Sequence, residues 1–137
     1  MRLHTCWGNY EGPHHLDVEL EAVLPELYEL DVGALAIEQT GPRHEHEYQA
    51  FAEHPLPAGM DIMPGVVNVN TNTIEHPETV ATRLERVANV VNDSTEIVAA
   101  PDCGFGTLSW SGAIADIAWA KLDSLAEGAA IATERLY

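Results

Sequence analysis

The stretch Ala34-Leu35-Ala36-Ile37-Glu38 is a run of four apolar residues that ends in one carboxylate. Continuous apolar runs are typical of strands that are buried on both faces, as in parallel sheets covered by helices. Three other segments read as strands, and they lie at residues 2–7, 61–67 and 96–100. A loop and a helical pattern follow each strand. We therefore predict an α/β fold of four consecutive βα units, with a parallel sheet and right-handed crossovers.

The helices are predicted at residues 18–30, 44–53, 77–91 and 112–135. Asp17 is a residue type that caps helices, so it is expected to begin the first one, which Pro25 would split or kink. Pro77 suits the first turn of the third helix. Lys121 falls among the regularly spaced apolar residues of the last helix. Residues 1–137 contain no linker or low-complexity tract, so a single domain is expected.

The predicted strands end in residues that suit a functional site. These residues are Cys6, Glu38, Asn68 and Cys103, one from each βα unit. In parallel α/β folds, sites gather at the carboxyl ends of the strands. His4 lies two residues before Cys6, a spacing that directs both side chains to one face of a strand. Imidazole and thiolate are zinc ligands, so we predict that His4 and the two cysteines meet at one metal.

The residues alone leave other interpretations open. Cys6 and Cys103 could be small buried hydrophobic residues, and His4 a histidine of the core. Glu38 could cap a helix or lie at an exposed strand end, although a buried carboxylate is costly without a partner.

The chain is strongly acidic, with 22 Asp and Glu residues, 6 Lys and Arg residues, and a net charge of −16. Such a surface repels nucleic acids and anionic membranes, so neither is expected as a partner. It suits solubility, including in a high-salt cytoplasm where charges are screened. No apolar run approaches the roughly 20 residues that span a bilayer, and no signal-peptide pattern is present. We expect a cytoplasmic protein with reduced cysteines.

Several motifs at the strand ends occur in a recognisable order. They are His4-x-Cys6, Ile37-Glu38, Pro64-Gly65-Val66 and Pro101-Asp102-Cys103-Gly104. Over nearly the whole chain, this series resembles the carboxyl-terminal half of the catalytic barrel of the cobalamin-independent methionine synthases. The stretches Cys6-Trp7-Gly8-Asn9-Tyr10-Glu11-Gly12-Pro13-His14 and Pro42-Arg43-His44-Glu45-His46-Glu47-Tyr48 are similar to the branch that includes epoxyalkane:coenzyme M transferases.

The resemblance implies half of a (β/α)8 TIM-type barrel in which His4, Cys6, Glu38 and Cys103 bind Zn²⁺. It implies transfer of a methyl or alkyl group from a small-molecule donor to a small-molecule thiol, which zinc would make nucleophilic. Four units cannot close a barrel, and unpaired sheet edges favour association. We therefore expect a homo-oligomer or a complementary half-barrel chain. The alternative is a non-catalytic zinc-binding partial barrel, or one subunit of a split alkyltransferase.

Six further residues are candidates for substrate binding: His14, Arg43, His44, Asn68, Asn70 and Asp102. The methionine synthase branch carries an Asp and a His after the third strand, where this chain has Asn68 and Asn70. Asparagine cannot transfer protons, which argues against methyl transfer by that branch's route. Arg43 would bind an anionic substrate group or pair with a surplus carboxylate. The pairs His14-His15 and His44-x-His46 are interpreted as loop or pocket residues rather than as a second metal site.

Overall fold

The computed structural model describes residues 1–92, 95–106 and 114–137. Its strands are β1 (Arg2–Thr5), β2 (Ala34–Ile37), β3 (Asp61–Val67) and β4 (Ala100–Pro101). They form one sheet in the order β1-β2-β3-β4, and every neighbouring pair is parallel. Helices follow the strands along the chain. The predicted α/β fold of consecutive βα units is confirmed.

Strand β4 is shorter than the strand predicted at residues 96–100. Ala100 pairs with Gly65 and Pro101 pairs with Val67, and the register shifts between these two pairs. Ile97 makes only an isolated parallel bridge to Ile62. The irregular register interrupts the ladder, so the segment before Ala100 follows β3 without forming a continuous strand.

The helices are α1 (Leu20–Tyr28), α2 (Ala50–Glu53), α3 (Pro77–Ala88) and α4 (Ala115–Leu136). A 3₁₀ turn at Glu47–Gln49 precedes α2, so the second helical segment is shorter than predicted. Pro25 lies inside α1 and does not divide it. Pro77 occupies the first turn of α3, as predicted. The predicted start of the last helix at residue 112 lies outside the described residues.

The prediction that Asp17 caps α1 is wrong. Glu19 is the residue at the helix start, and its side chain makes no capping hydrogen bond. Glu47, from the next βα unit, caps the helix instead, because its Oε1 accepts the Leu20 N–H at 2.8 Å. The Asp17 carboxylate lies against the rings of His14 and His44. The Asp17 carboxylate therefore pairs with two imidazoles instead of with an N–H group at the start of α1.

Two apolar clusters pack the helices against the sheet. The first joins α1 and α2 to β2 and to the start of β3, and its buried members are Leu20, Leu24, Leu35, Ile37, Phe51, Leu56, Met60, Ile62 and Val87. The second joins the end of β3 to α3 and α4 through Val66, Val67, Val80, Ala81, Leu84 and Ala132. Gly128 allows the two helices to approach closely, because a Cβ at this position would lie 2.7 Å from Pro77 O.

Lys121 faces the interior of the protein, as its place in the helical pattern predicts. Its side chain is fully buried on α4. The amine donates hydrogen bonds to Glu75 Oε2 at 2.9 Å and to Thr73 O. Glu75 also accepts the Asn68 N–H through Oε1 at 2.9 Å. The lysine therefore fixes the loop that follows β3.

Candidate metal centre and adjoining cavity

Four potential metal ligands lie at the carboxyl end of the sheet, at or just after the ends of strands β1, β2 and β4. His4 lies in β1 and Cys6 just after it, Glu38 follows β2 directly, and Cys103 follows β4. The parallel register sets Thr5 beside Ile37, so the residues that follow these two positions leave the sheet side by side. The fold thus brings together residues that are nearly 100 positions apart in the chain.

The donor atoms lie within one small volume. Cys103 Sγ is 3.2 Å from His4 Nε2, 3.4 Å from Cys6 Sγ and 3.6 Å from Glu38 Oε2. Cys6 Sγ is 3.7 Å from the same carboxylate oxygen. Zinc bonds of about 2.0–2.3 Å in a tetrahedron place neighbouring ligand atoms about 3.3–3.8 Å apart. The His4 nitrogen and the two sulfur atoms all lie within 4.8 Å of one another, which suits three corners of a tetrahedral zinc site, and the Glu38 oxygen lies beside both sulfur atoms.

The electrostatics of the cluster favour a bound cation. Burial raises the pKa of the Cys103 thiol, and the neighbouring Cys6 and Glu38 side chains raise it further. A divalent cation would reverse this effect, because a coordinated thiol is deprotonated. Glu38 is buried as well, whereas His4 and Cys6 are exposed. Both cysteines are free thiols.

Two backbone amides of the loop after β1 orient these ligands. Trp7 N–H donates to Glu38 Oε1 at 3.2 Å, and Gly8 N–H donates to Cys6 Sγ at 3.3 Å. Gly8 has a φ of 84°, in the left-handed region that favours glycine. Outer hydrogen bonds of this kind orient ligands and tune the metal in known metalloproteins.

Asp102 joins the loop of Glu38 to the loop of Cys103. Its Oδ1 accepts the N–H groups of Gln39 at 2.8 Å and Thr40 at 3.0 Å, and its Oδ2 accepts the Thr40 hydroxyl. Burial raises the pKa of this carboxyl to about 6. Gly65 leaves the space that Asp102 needs, since a Cβ on Gly65 would lie 2.8 Å from Asp102 Cα. Asp102 therefore positions two of the candidate ligands.

An open cavity of about 530 Å³ adjoins the cluster. It is lined by Glu38 and by all six residues that the sequence suggests for substrate binding: His14, Arg43, His44, Asn68, Asn70 and Asp102. Their proximity agrees with a shared role, and substrate binding by them stays a prediction.

The individual side chains of this group have different partners. Arg43 pairs with Glu19, as the ion-pair alternative for this residue predicts. Asn68 Oδ1 accepts the Asn70 N–H at 2.8 Å, which is a local turn contact. The Asn70 side-chain amide donates to Asn9. Asn68 and Asn70 therefore shape the loop after β3.

Asn9 is a cavity residue that the sequence did not distinguish from its polar neighbours. It is buried, lines the cavity and carries an Nδ2 with no hydrogen-bond partner among the described residues. Unpaired buried amide groups are uncommon in proteins. The position of Asn9, between the cysteine motif and the His14 loop, is the only signal in the sequence that could have suggested it.

The fold and site define an α/β protein of the barrel type, with side chains of metal-ligand type at the carboxyl ends of its strands. The family described as cobalamin-independent synthase, catalytic domain, matches residues 12–123. The chain belongs to this family.

Two relatives show how much of a longer protein the chain represents. It is 27% identical to a 2-hydroxypropyl-CoM lyase of Xanthobacter autotrophicus (strain ATCC BAA-1158 / Py2), over 97% of this chain and 40% of that protein. It resembles the structure of a B12-independent methionine synthase from Shewanella sp. W3-18-1 in complex with selenomethionine, with a TM-score of 0.74 and 24% identity. That match covers 98% of this chain and 39% of the other. The chain therefore spans about two fifths of each relative's length.

Among residues 1–92, 95–106 and 114–137, no helix is both long enough and apolar enough to cross a membrane.

Proposed function

We propose that this protein takes part in the zinc-dependent transfer of a methyl or alkyl group to a small-molecule thiol. The observation that carries this proposal is the compact cluster of His4, Cys6, Glu38 and Cys103 beside the cavity. Membership of the cobalamin-independent synthase family supports it. The name of the Xanthobacter relative, 2-hydroxypropyl-CoM lyase, agrees with a thiol as one reactant.

His4, Cys6, Glu38 and Cys103 would hold the zinc ion, which when bound lowers the pKa of a thiol and makes it a nucleophile at neutral pH. The Trp7 and Gly8 amides orient Glu38 and Cys6, and Asp102 holds the two ligand loops together. The cavity would receive the alkyl donor. Asn68 and Asn70 cannot transfer protons, so any proton needed by the leaving group would come from another residue or from solvent.

The proposal includes a partner for the half-barrel. Strands β1 and β4 end the described sheet, and each has a neighbour on one side only. His4 and Cys6 are exposed at the β1 edge. Because the chain spans about two fifths of its relatives, we propose that a second copy or a complementary half-barrel chain covers these edges. We place residues 1–137 in one partial-barrel domain and the complex in the cytoplasm, where thiols stay reduced.

A second candidate is a zinc-binding partial barrel without activity of its own, or one subunit of a split alkyltransferase. This candidate is favoured by the observation that the chain spans only about two fifths of each relative's length. It predicts tight zinc binding by the isolated chain and no alkylation of thiols until the missing half is supplied.

The metal content and mass of the purified protein, measured under non-denaturing conditions, test both candidates. At the cysteine cluster we expect one zinc per chain. The variants Cys6→Ser and Cys103→Ser should each remove this ion, whereas His15→Ala, at an exposed residue next to His14, should retain it. Loss of free thiol in the presence of an alkyl donor then separates an active enzyme from an inactive subunit. If the wild-type protein cannot bind zinc, both candidates are wrong.

A further inference from the structure

We propose that His14, Asp17 and His44 form a second site, which binds a first-row divalent cation through nitrogen and oxygen atoms. This site goes beyond the proposed zinc centre and shares no residue with it. Asp17 Oδ2 lies 2.6 Å from His14 Nδ1 and 3.0 Å from His44 Nε2. The three potential ligand atoms all lie within 4.8 Å of one another.

The outer nitrogen of each imidazole faces an oxygen acceptor. His14 Nε2 lies 2.8 Å from the carbonyl oxygen of Tyr10, which can only accept. His44 Nδ1 lies 3.0 Å from Glu47 Oε2. The outer nitrogen of His14 therefore carries a hydrogen, and that of His44 carries one whenever the Glu47 carboxyl is ionised. In the neutral imidazole the other nitrogen has a lone pair, and in both rings that nitrogen faces the same oxygen of Asp17.

Lone pairs on two nitrogens and one carboxylate oxygen repel one another unless positive charge lies among them. Either a proton on each inner nitrogen or one metal ion supplies that charge. Two imidazoles and one carboxylate are a known ligand set for divalent iron and related metals, and they leave further coordination positions open. One ion would satisfy all three groups at once if the Asp17 oxygen and the His14 nitrogen, now 2.6 Å apart, separate to about 3 Å to admit it.

The surroundings match those of a metal-binding histidine pair. Ligand histidines usually donate their second N–H to a carboxylate or a backbone carbonyl, which are the roles of Glu47 and Tyr10 here. Glu47 is itself buried and fixed by the Leu20 N–H. The Trp7 ring stacks on His44 at a centroid distance of 4.4 Å. These contacts hold the His44 ring in place before any ion binds.

The backbone of His14 gives an independent indication that its ring position matters. His14 has a φ of 50°, the only positive φ outside glycine in the described chain. Non-glycine residues in this conformation are uncommon, and they concentrate at functional sites. His14 and His44 both line the cavity, so a cation held here is within reach of a polar group on a bound substrate.

The absence of sulfur distinguishes this site from the cysteine cluster in a cobalt titration. A cobalt ion bound by thiolates has a strong near-ultraviolet charge-transfer band, whereas one bound only by nitrogen and oxygen does not. We expect metal-free protein to bind two equivalents of Co²⁺, one with this band and one without it. The double variant Cys6→Ser/Cys103→Ser should lose the first and retain the second.

Variants of the second site should have the opposite effect. Asp17→Asn is expected to abolish binding of the Co²⁺ ion that lacks the charge-transfer band. The Co²⁺ ion at the cysteine cluster should remain bound. Glu47→Gln, which keeps one oxygen for the Leu20 N–H but removes the carboxylate that faces His44 Nδ1, should reduce the affinity for the Co²⁺ ion of the second site by about 10- to 100-fold. The variant His15→Ala is the matched control, since His15 is adjacent to His14 and exposed, and should bind both ions.

Circular dichroism of each variant identifies loss of folding, and His14→Gln, in the loop before α1, replaces Asp17→Asn if the latter does not fold. If wild-type protein and the double cysteine variant bind no Co²⁺ outside the cysteine cluster, the proposal is wrong and the two imidazoles hold protons. It is also wrong if the second equivalent persists unchanged in Asp17→Asn or His14→Gln. Neither result would affect the proposed zinc function, which the charge-transfer band follows separately.

Discussion

Asp102 and Gly65 show how single residues control the geometry of the candidate zinc centre. Asp102 binds three groups of the loop that carries Glu38 and immediately precedes Cys103. Gly65 lies on β3 directly beneath it, with no side chain to separate them. The distance between the candidate ligands Glu38 and Cys103 therefore depends on the Asp102 carboxylate and on the absence of a side chain at Gly65.

We predict that Gly65→Ala lowers both the stability and the zinc affinity of the protein. The added Cβ would lie 2.8 Å from Asp102 Cα and 3.1 Å from Ile37 O, so the Asp102 loop must move. Overpacking of this kind costs about 1–3 kcal/mol. Urea unfolding and competition with a zinc chelator measure the two effects. Gly41→Ala is the control, because nothing lies within 4 Å of its Cβ position, and equal behaviour of the two variants would contradict the prediction.

The raised pKa of Asp102 predicts a dependence of stability on pH. Its folded-state pKa of about 6 lies above the unfolded value of about 3.9, so the folded state binds the proton more tightly. The stabilisation from that proton is complete below about pH 4 and is lost as pH rises through about 6. The expected loss is about 3 kcal/mol at most.

The variant Asp102→Asn separates the contribution of Asp102 from those of the other carboxylates. Its amide has the shape of the protonated acid but does not gain or lose a proton with pH. In metal-free protein, the unfolding free energy of the wild type minus that of Asp102→Asn should fall between pH 4 and pH 6 and level off above. A difference that is constant across this range would show that burial does not raise the pKa of Asp102.

At the scale of elements, the contact between α4 and the loop after β3 depends on a buried charge pair. Lys121 on α4 is fully buried and lies 2.9 Å from Glu75, whose side chain is 9% exposed. Ser124, one turn later, donates to Glu75 O. Helix α4 therefore holds the end of the segment that brings Asn68 and Asn70 to the cavity.

We predict that Lys121→Met destabilises the protein by about 3–5 kcal/mol, because it leaves the Glu75 carboxylate buried without its partner. The double variant Lys121→Met/Glu75→Gln should recover part of that loss. Arg86→Met is the matched control, since its pair with Glu45 is about half exposed and such pairs contribute at most about 1 kcal/mol. Thermal or urea unfolding of the four proteins gives the comparison, and similar losses for Lys121→Met and Arg86→Met would contradict the prediction.

At the scale of the whole molecule, acidic charge dominates the surface. A net charge of −16 on 137 residues opposes the compact state through self-repulsion. Surface pairs such as Arg135 with Glu78 and Glu85 offset only part of it. The remaining repulsion decreases as salt shortens the range of the electrostatic field.

The melting temperature is therefore expected to rise with NaCl concentration. Most of the increase in melting temperature should occur below roughly 1 M NaCl, because the Debye length has already fallen to about 3 Å at that concentration. Calorimetry or circular dichroism across a salt series measures it, with sucrose at equal osmolality as an uncharged control. A melting temperature that is unaffected or lowered by NaCl would mean that self-repulsion does not limit stability.

Much of the fold and of the candidate zinc centre could be predicted because the signals are local. Strand β3 lies where its apolar run predicts, and β2 ends one residue before Glu38. Two-residue spacing in an extended segment directs His4 and Cys6 to one side. Cys103 followed as the second cysteine at a strand end, and the family motif then added Glu38 as the fourth candidate ligand. Each of these inferences uses a few adjacent residues and the rule that parallel strands end at one edge of the sheet.

The contacts that only the tertiary structure decided join residues far apart in sequence. Asp17 was expected to cap its own helix, but it binds His44, 27 positions away, and Glu47 caps the helix in its place. Lys121 pairs with Glu75 across 46 positions, and Asp102 binds the Gln39 amide across 63. Charged side chains have several possible partners of suitable chemistry in the sequence. Packing of the βα units selects one partner, because burial makes an unpaired charge too costly to leave.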